Sequence, residues 1–371
     1  MFLVGLFNTM NAILVTGATG FLGSSLVKRL LLDRFKVIAL YRGRHGFLSG
    51  VNDSNLVFIN SFDVSKLSTL NIKTIYHLAS SIPSNDHSSY GYHYDSNVEL
   101  TKKVINIAKK INIRQFVFAS TGSVFFKSDN NIFSENTCVN PQTNYGLTKY
   151  IAEKNIQMEL RSSGVQISII RFPSIFGLNN SCGIIKAFYK LAARNDDIYV
   201  YDNGEKFRSL IYIDDAIDIL FRVYANINSL NKFEIFMAGS NNYLKVGYIA
   251  ETLVDQLNSK SKVYKINEHL DSSFDGIVDI SKAKKKLDAL SGVSDWTFHD
   301  LRRSFATHTT ETLGCSPVVV DKILNHVSGS VKGVAAIYQR GEYLKERKEA
   351  LEAWDAFLLP EQSAGERVGT A

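Results

Sequence analysis

The chain has 371 residues, 45% of them hydrophobic, with 42 Lys+Arg against 36 Asp+Glu and three cysteines. That composition excludes a disordered chain, a fibrous repeat and a disulfide-stapled small module, and the length suits two or three domain-sized units around a large core. Cys138, Cys182 and Cys315 are widely spaced and odd in number, which predicts a reducing, cytoplasmic setting with no CxxC pair and no metal site.

Residues 1–10 are apolar but lack a cationic start, so a signal peptide is not expected and Met10 is the better candidate for the true start. No window approaches 18 consecutive apolar residues, so no membrane span is expected. Ala12 to Thr16 (AILVT) reads as a strand, followed by glycines and by Leu22, Leu26, Leu30 and Leu31 at helical spacing. Strand-like runs recur at Lys36 to Leu40, Leu56 to Ile59, Thr74 to Leu78, Gln115 to Ala119 and Gln166 to Ile170. Helical patterns lie between them, notably Asn97 to Lys110 and Tyr145 to Arg161. Wholly apolar strands separated by helices predict a parallel sheet covered on both faces, the α/β Rossmann-type doubly wound architecture.

Gly17-Ala18-Thr19-Gly20-Phe21-Leu22-Gly23 falls between the first strand and the first helix. In that setting glycines permit a tight turn and a close approach to a pyrophosphate, whose charge the open helix N-terminus can meet. Gly17, Thr19, Gly20, Phe21, Leu22 and Gly23 are therefore candidate cofactor residues. Where the second strand ends, an NAD site usually presents an acid to the ribose, but here the run is Leu40-Tyr41-Arg42-Gly43-Arg44. Arginine in that place favours a 2′-phosphate, hence NADP(H), with NAD(H) the alternative. Asp63, followed by Val64, is a candidate contact for the adenine amino group, and a helix N-cap would look the same in sequence.

Tyr145 and Lys149, four apart in Tyr145-Gly146-Leu147-Thr148-Lys149, share one helical face. A lysine charge there is expected to lower the phenol pKa, letting the tyrosine exchange a proton with a substrate hydroxyl. Thr121 or Ser123, past the strand from Gln115, can orient the substrate oxygen from the carboxyl edge of the sheet.

With these motifs in order, residues 11 to about 286 resemble an extended short-chain dehydrogenase/reductase of the NAD-dependent epimerase/dehydratase family. The resemblance rests on GATGFLG at Gly17, the HLA of His77-Leu78-Ala79, Asn97 to Thr101 (NVELT), Ala119-Ser120-Thr121, YGLTK at Tyr145, Arg171 to Gly177 (RFPSIFG), and Arg208 to Asp215 (RSLIYIDD). It implies a triad of Thr121, Tyr145 and Lys149, with Lys149 also on the nicotinamide ribose and Leu78 and Ala79 against the cofactor. It implies that Arg208 meets the diphosphate of a nucleotide-diphosphate sugar, beside Ser123. Dehydratases of the family commonly carry Asp-Glu after the triad threonine, whereas Gly122-Ser123 stand here, so dehydration is disfavoured. A sugar epimerase or a 4-keto-sugar reductase is expected, the arginine loop tilting slightly towards the reductase. A homodimer built on the Tyr145 helix is implied by analogy of fold alone.

Composition changes near residue 287: 27 asparagines precede it and one, Asn325, follows. The last 85 residues carry nine Lys+Arg against twelve Asp+Glu, so the basic excess belongs to the first part. Trp296 to Thr307 (WTFHDLRRSFAT), Leu324-Asn325-His326 and Ala336-Ile337-Tyr338 resemble the C-terminal end of a phage-type tyrosine recombinase, or integrase. That resemblance casts His299, Arg302 and His326 as phosphate-side residues and Tyr338 as nucleophile. The upstream arginine and lysine such a site needs have no counterpart, and the tail is acidic, so DNA binding is not expected; the alternatives to a sugar enzyme are a recombinase acting in DNA integration with an incomplete site, or an inactive chimera that only binds cofactor. The organisation predicted is a mainly dinucleotide-binding domain over 11–170, a substrate-binding part with interleaved Rossmann elements over 171–286, a helical recombinase-like fragment over 287–358 and a disordered tail over 359–371.

Overall fold

The computed structural model describes residues 11–82, 89–126, 132–180, 182–239, 243–268 and 276–282, with shorter pieces at 285, 306–317, 319–320, 346, 349–350 and 353. β1 (Ala12–Thr16), α1 (Phe21–Leu32), β2 (Lys36–Leu40), β3 (Leu56–Ile59), α2 (Val64–Ser68) and β4 (Ile72–His77) open the chain. After them come α3 (Tyr90–His93), a π-helical stretch (Tyr94–Glu99), α4 (Leu100–Ile111), β5 (Gln115–Thr121), β6 (Ile132–Phe133), α5 (Asn144–Leu160) and β7 (Gln166–Phe172). The remainder of this part holds β8 (Ser174–Phe176), α6 (Ile184–Arg194), β9 (Ile198–Val200), β10 (Phe207–Tyr212), α7 (Ile213–Ala225), β11 (Phe233–Met237), β12 (Tyr243–Lys245), α8 (Val246–Gln256), β13 (Val263–Lys265) and β14 (Ile277–Val278).

Seven strands form one parallel sheet in the order β11-β7-β5-β4-β1-β2-β3. β1, β5 and β7 are buried along their whole length, which is why they read as unbroken apolar runs. On one face Leu26, Val27 and Leu30 of α1 pack with Ala216, Ile217 and Leu220 of α7. On the other, Val104, Ile107 and Ala108 of α4 meet Ala152, Ile156 and Leu160 of α5. Each such leucine or isoleucine taken from water contributes about 1.5–3 kcal/mol. A smaller lobe gathers around Phe188, Ile198, Leu210 and Ile249. It carries a three-stranded sheet in the order β12-β10-β8, and β9 beside β13. β11 returns from this lobe to the main sheet, where it pairs with β7, so the elements of the two lobes interleave along the chain.

Several element boundaries differ from the sequence pattern by one to three residues, and two of these differences bear on the site. β5 runs on to Thr121 rather than ending at Ala119, which carries Ser120 and Thr121 to the sheet edge. The helix expected from Asn97 begins as an α-helix only at Leu100, because the turn before it is widened into a π-helix. Such widened turns recur at functional sites.

The chain divides into two compact units, Met1–Leu287 and Asp288–Ala371. In the second, the described residues include a π-helical turn over His308–Thr312 with Thr309 buried, and Val319, Val320 and Ala350 are buried as well. His299, Arg302, His326 and Tyr338 lie outside the described residues, as does the segment 359–371. Among the described residues no helix is long and apolar enough to cross a membrane.

Candidate active site

The neighbours of β1 in the sheet are β2 on one side and β4 on the other, so strand order reverses there. A crevice at the carboxyl ends of the strands is expected at such a point. A cavity of about 740 Å³ occupies it, walled by Thr16 from β1, Leu40 from β2, Ala119 to Thr121 from β5 and Phe172 from β7.

One wall is the glycine loop: Gly17, Thr19, Gly20, Phe21, Leu22 and Gly23 all line the cavity. Gly17 has φ +67°, and a Cβ there would stand 2.7 Å from the Ala79 nitrogen, so both its conformation and its packing require glycine. α1 starts after Gly20 with no side chain capping its first turn. Unfilled helix N-terminal donors beside a cradle that tolerates no Cβ fit a bound diphosphate. Leu78 and Ala79 line the same wall, and Tyr41 and the exposed Arg42 stand at its outer end. Asp63 is the N-cap of α2; it accepts from the Ser65 hydroxyl at 2.6 Å and from the Ser65 amide at 2.9 Å, and these bonds, the hydroxyl's first, hold its carboxyl below the ordinary range. Neither Asp63 nor Val64 lines the cavity, where Phe62 stands instead.

The opposite wall carries Tyr145 and Lys149. Thr143 caps α5 by accepting from the Gly146 amide at 3.0 Å. A Cβ on Gly146 would lie 2.1 Å from the Ser123 carbonyl oxygen, so this glycine lets α5 seat against the turn that follows β5. Tyr145 and Lys149 thereby face the cavity together with Thr121 and Ser123. Thr121 and Ser80 hydrogen-bond the Tyr145 hydroxyl. Thr121 also touches Ser123, hydroxyl to hydroxyl, at 3.3 Å. Arg208 lines the same cavity with Ser174, Asn180 and Cys182.

The expected electrostatics of the tyrosine are corrected here. Burial pushes the Tyr145 phenol above its ordinary value, and hydrogen bonding with Thr121 and Ser80 offsets this only in part. Lys149 is itself buried, with Nζ 4.0 Å above the Phe118 ring, and burial pulls its pKa down to about 7 against a smaller upward pull from Glu153. The ammonium that was to acidify the phenol is thus half neutral near pH 7.

Several residues that support the site were given no role by the sequence, although Asn97, Thr148 and Arg171 stand in its motifs. Ser80 donates to Asn97 Oδ1 at 2.9 Å, and Asn97 Nδ2 donates to Thr148 at 3.0 Å. Asn97 lies within the π-helical stretch Tyr94–Glu99. Glu153, one turn beyond Lys149, is 2% exposed and accepts from Arg171 Nη2 at 2.7 Å, from Arg171 Nε at 3.1 Å and from Ser120 at 2.5 Å. This pins α5 to β5 and β7. An i, i+8 acid after Tyr145 and the arginine of Arg171-Phe172-Pro173 were visible in sequence, but nothing there paired them.

The chain is similar to the putative UDP-glucose 4-epimerase of Methanocaldococcus jannaschii, 26% identical over 299 residues, covering 76% of this chain and 95% of that protein. It is also similar to the dTDP-4-dehydro-6-deoxyglucose reductase of Escherichia coli, 22% identical over 75% of this chain and 92% of that one. In fold it matches the crystal structure of UDP-glucuronic acid 4-epimerase from Bacillus cereus in complex with UDP-glucuronic acid and NAD. That match has a TM-score of 0.67 and 23% identity, covering 74% of this chain and 92% of the other. The profile of the NAD dependent epimerase/dehydratase family matches residues 13–239, and with the glycine loop and Tyr145 meeting across one cavity, this chain belongs to that family.

Proposed function

We propose that the first unit is a nicotinamide-dependent nucleotide-sugar enzyme, an epimerase or 4-keto-sugar reductase, working by hydride transfer at a sugar carbon. The observation that carries this reading is that Thr121, Tyr145 and Lys149 share one cavity with the uncapped start of α1. The cofactor, when bound, supplies or accepts a hydride. Tyr145, its phenol held protonated by burial, delivers a proton to a substrate oxygen or takes one back, while Thr121 and Ser80 fix the direction of that hydroxyl. Lys149 holds a proton close to neutral pH and is suited to resupply the tyrosine through a ribose hydroxyl. Arg208 is assigned to the diphosphate of the sugar nucleotide. Gly122 and Ser123 supply no acid or base for loss of water, which speaks against dehydration. Asp63 is assigned to capping α2 rather than to the adenine.

Arg42, exposed at the outer end of the cavity, favours NADP(H) and with it the reductase reading, since an epimerase regenerates its cofactor in each cycle. Incubation with UDP-glucose or UDP-galactose tests the epimerase, which predicts interconversion with no net change in cofactor. Oxidation of NADPH by a 4-keto-sugar nucleotide tests the reductase, and loss of both reactions in Tyr145→Phe is expected in either case. Failure of both reactions in the intact chain would overturn the proposal.

We read the second unit as a passenger joined in frame, in which His299, Arg302, His326 and Tyr338 are the remnant of a tyrosine-recombinase site. Equal NADPH affinity in the full chain and in a chain ended after Lys286 is expected. A covalent Tyr338 adduct on a suicide DNA duplex would contradict it.

A further inference from the structure

His77, the last residue of β4, is wholly buried between two threonine hydroxyls: Thr16 Oγ1 lies 2.7 Å from Nδ1 and Thr101 Oγ1 lies 2.8 Å from Nε2. The two neighbours settle the direction of every proton in this chain. Thr101 has one hydroxyl hydrogen and donates it to the Asn97 carbonyl at 2.5 Å, and a carbonyl only accepts. Thr101 must therefore accept from His77, which places a hydrogen on Nε2. On a neutral imidazole Nδ1 is then an acceptor, filled by the Thr16 hydroxyl, and Thr16 in turn accepts from the Ala79 amide at 3.2 Å. A second proton on Nδ1 would point at an oxygen that already takes the Ala79 amide and would strand the Thr16 hydrogen inside the protein.

The ends of the chain are functional. Thr16 precedes Gly17, and Ala79 is the atom group against which Gly17 packs. At the far end Asn97 receives Ser80, the partner of the Tyr145 hydroxyl. We propose that His77, fixed as the neutral Nε2–H tautomer, is a positioning residue that joins the seat of the glycine loop to the seat of Tyr145 through Thr16 and Thr101. Satisfied one-way chains of this kind act as units, so loss of any member is felt at both ends. The groups facing His77 agree: the rings of Phe116 and Phe118 flank it, burial pulls its pKa down to about 3, and the nearby Lys149 charge pulls the same way.

The network itself is tested by ¹⁵N NMR of the full chain labelled at histidine, with the His77 signal identified by its loss in His77→Gln. An unprotonated Nδ1 and a protonated Nε2, unchanged from about pH 5.5 to 8.5, are expected. An Nδ1–H tautomer, or titration within that range, would overturn the proposal. Its functional consequence rests on the nicotinamide reading and is tested with NADPH itself. Thr101→Val, whose side chain lines no part of the cavity, and His77→Gln should each weaken NADPH binding about tenfold, and the double variant should be no weaker than either. Unchanged affinity in Thr101→Val, or effects that multiply, would show packing without coupling. If the unaltered chain binds neither NADPH nor NADH, the nicotinamide reading fails, and the NMR result still decides the tautomer.

Discussion

Two buried polar clusters brace the carboxyl edge of the same sheet, and they differ in kind. Glu153, Arg171 and Ser120 form a charged cluster between α5, β7 and β5. Thr16, His77 and Thr101 form a neutral one between β1, β4 and α4. The charged cluster is not saturated, because Arg171 Nη1 is buried without a hydrogen-bond partner among the described residues, whereas every proton of the neutral one has a place. The difference teaches that buried charge resists removal of one partner, while a neutral chain specifies directions at lower cost.

The largest effect is expected from Glu153→Ala. It leaves the Arg171 guanidinium buried and unpaired, at a cost of about 3–5 kcal/mol in urea unfolding. Replacing both partners with methionine should recover most of that loss, to within about 1–2 kcal/mol of the unaltered chain. A single variant that lost under about 1 kcal/mol would show that the pair is not what holds α5.

Lys149→Met sharpens the electrostatic side. The folded pKa of about 7 lies below the ordinary 10.5, so the unfolded chain binds more protons between these values and stability rises with pH across that window. The cost of burying the ammonium is complete below about pH 7 and fades towards pH 10.5. Lys149→Met should therefore abolish turnover yet raise Tm by about 5 °C at pH 6, and by less at pH 9.5, in paired thermal melts. A Tm gain that did not shrink with rising pH would remove the buried charge from the account.

Thr16→Val deletes one hydroxyl from the neutral chain and should cost about 1–3 kcal/mol, with no shift of the loss between pH 6 and 8. Asp63→Ala should have the smallest effect, a slight loss of stability from the missing N-cap of α2 in thermal melts, and leave NADPH affinity within about twofold. A much larger loss of affinity would return Asp63 to the adenine.

Much of this was legible before any coordinates. The apolar runs of β1, β5 and β7 mark parallel strands buried on both faces, and GATGFLG between strand and helix marks the loop that closes the cavity. Tyr145 and Lys149 at helical spacing give the shared wall. What sequence does not carry is the sign of a competition. Local spacing puts a lysine beside the phenol, but how deeply both are buried depends on Phe118 and on the closure of α5 over β5, which are long-range facts. Asp63 is ambiguous for a related reason, since capping and ligand contact ask for the same side chain. The polar clusters join residues 18 to 61 positions apart, and no periodicity links them.

One cavity is proposed to seat a nicotinamide cofactor between the glycine loop and Tyr145. Calorimetric titration of NADPH and of NADH into the full chain and into Arg42→Ser tests it most directly. The account predicts one site per chain, tighter for NADPH, with Arg42→Ser erasing the preference while NADH still binds. No binding of either dinucleotide to the full chain would contradict it.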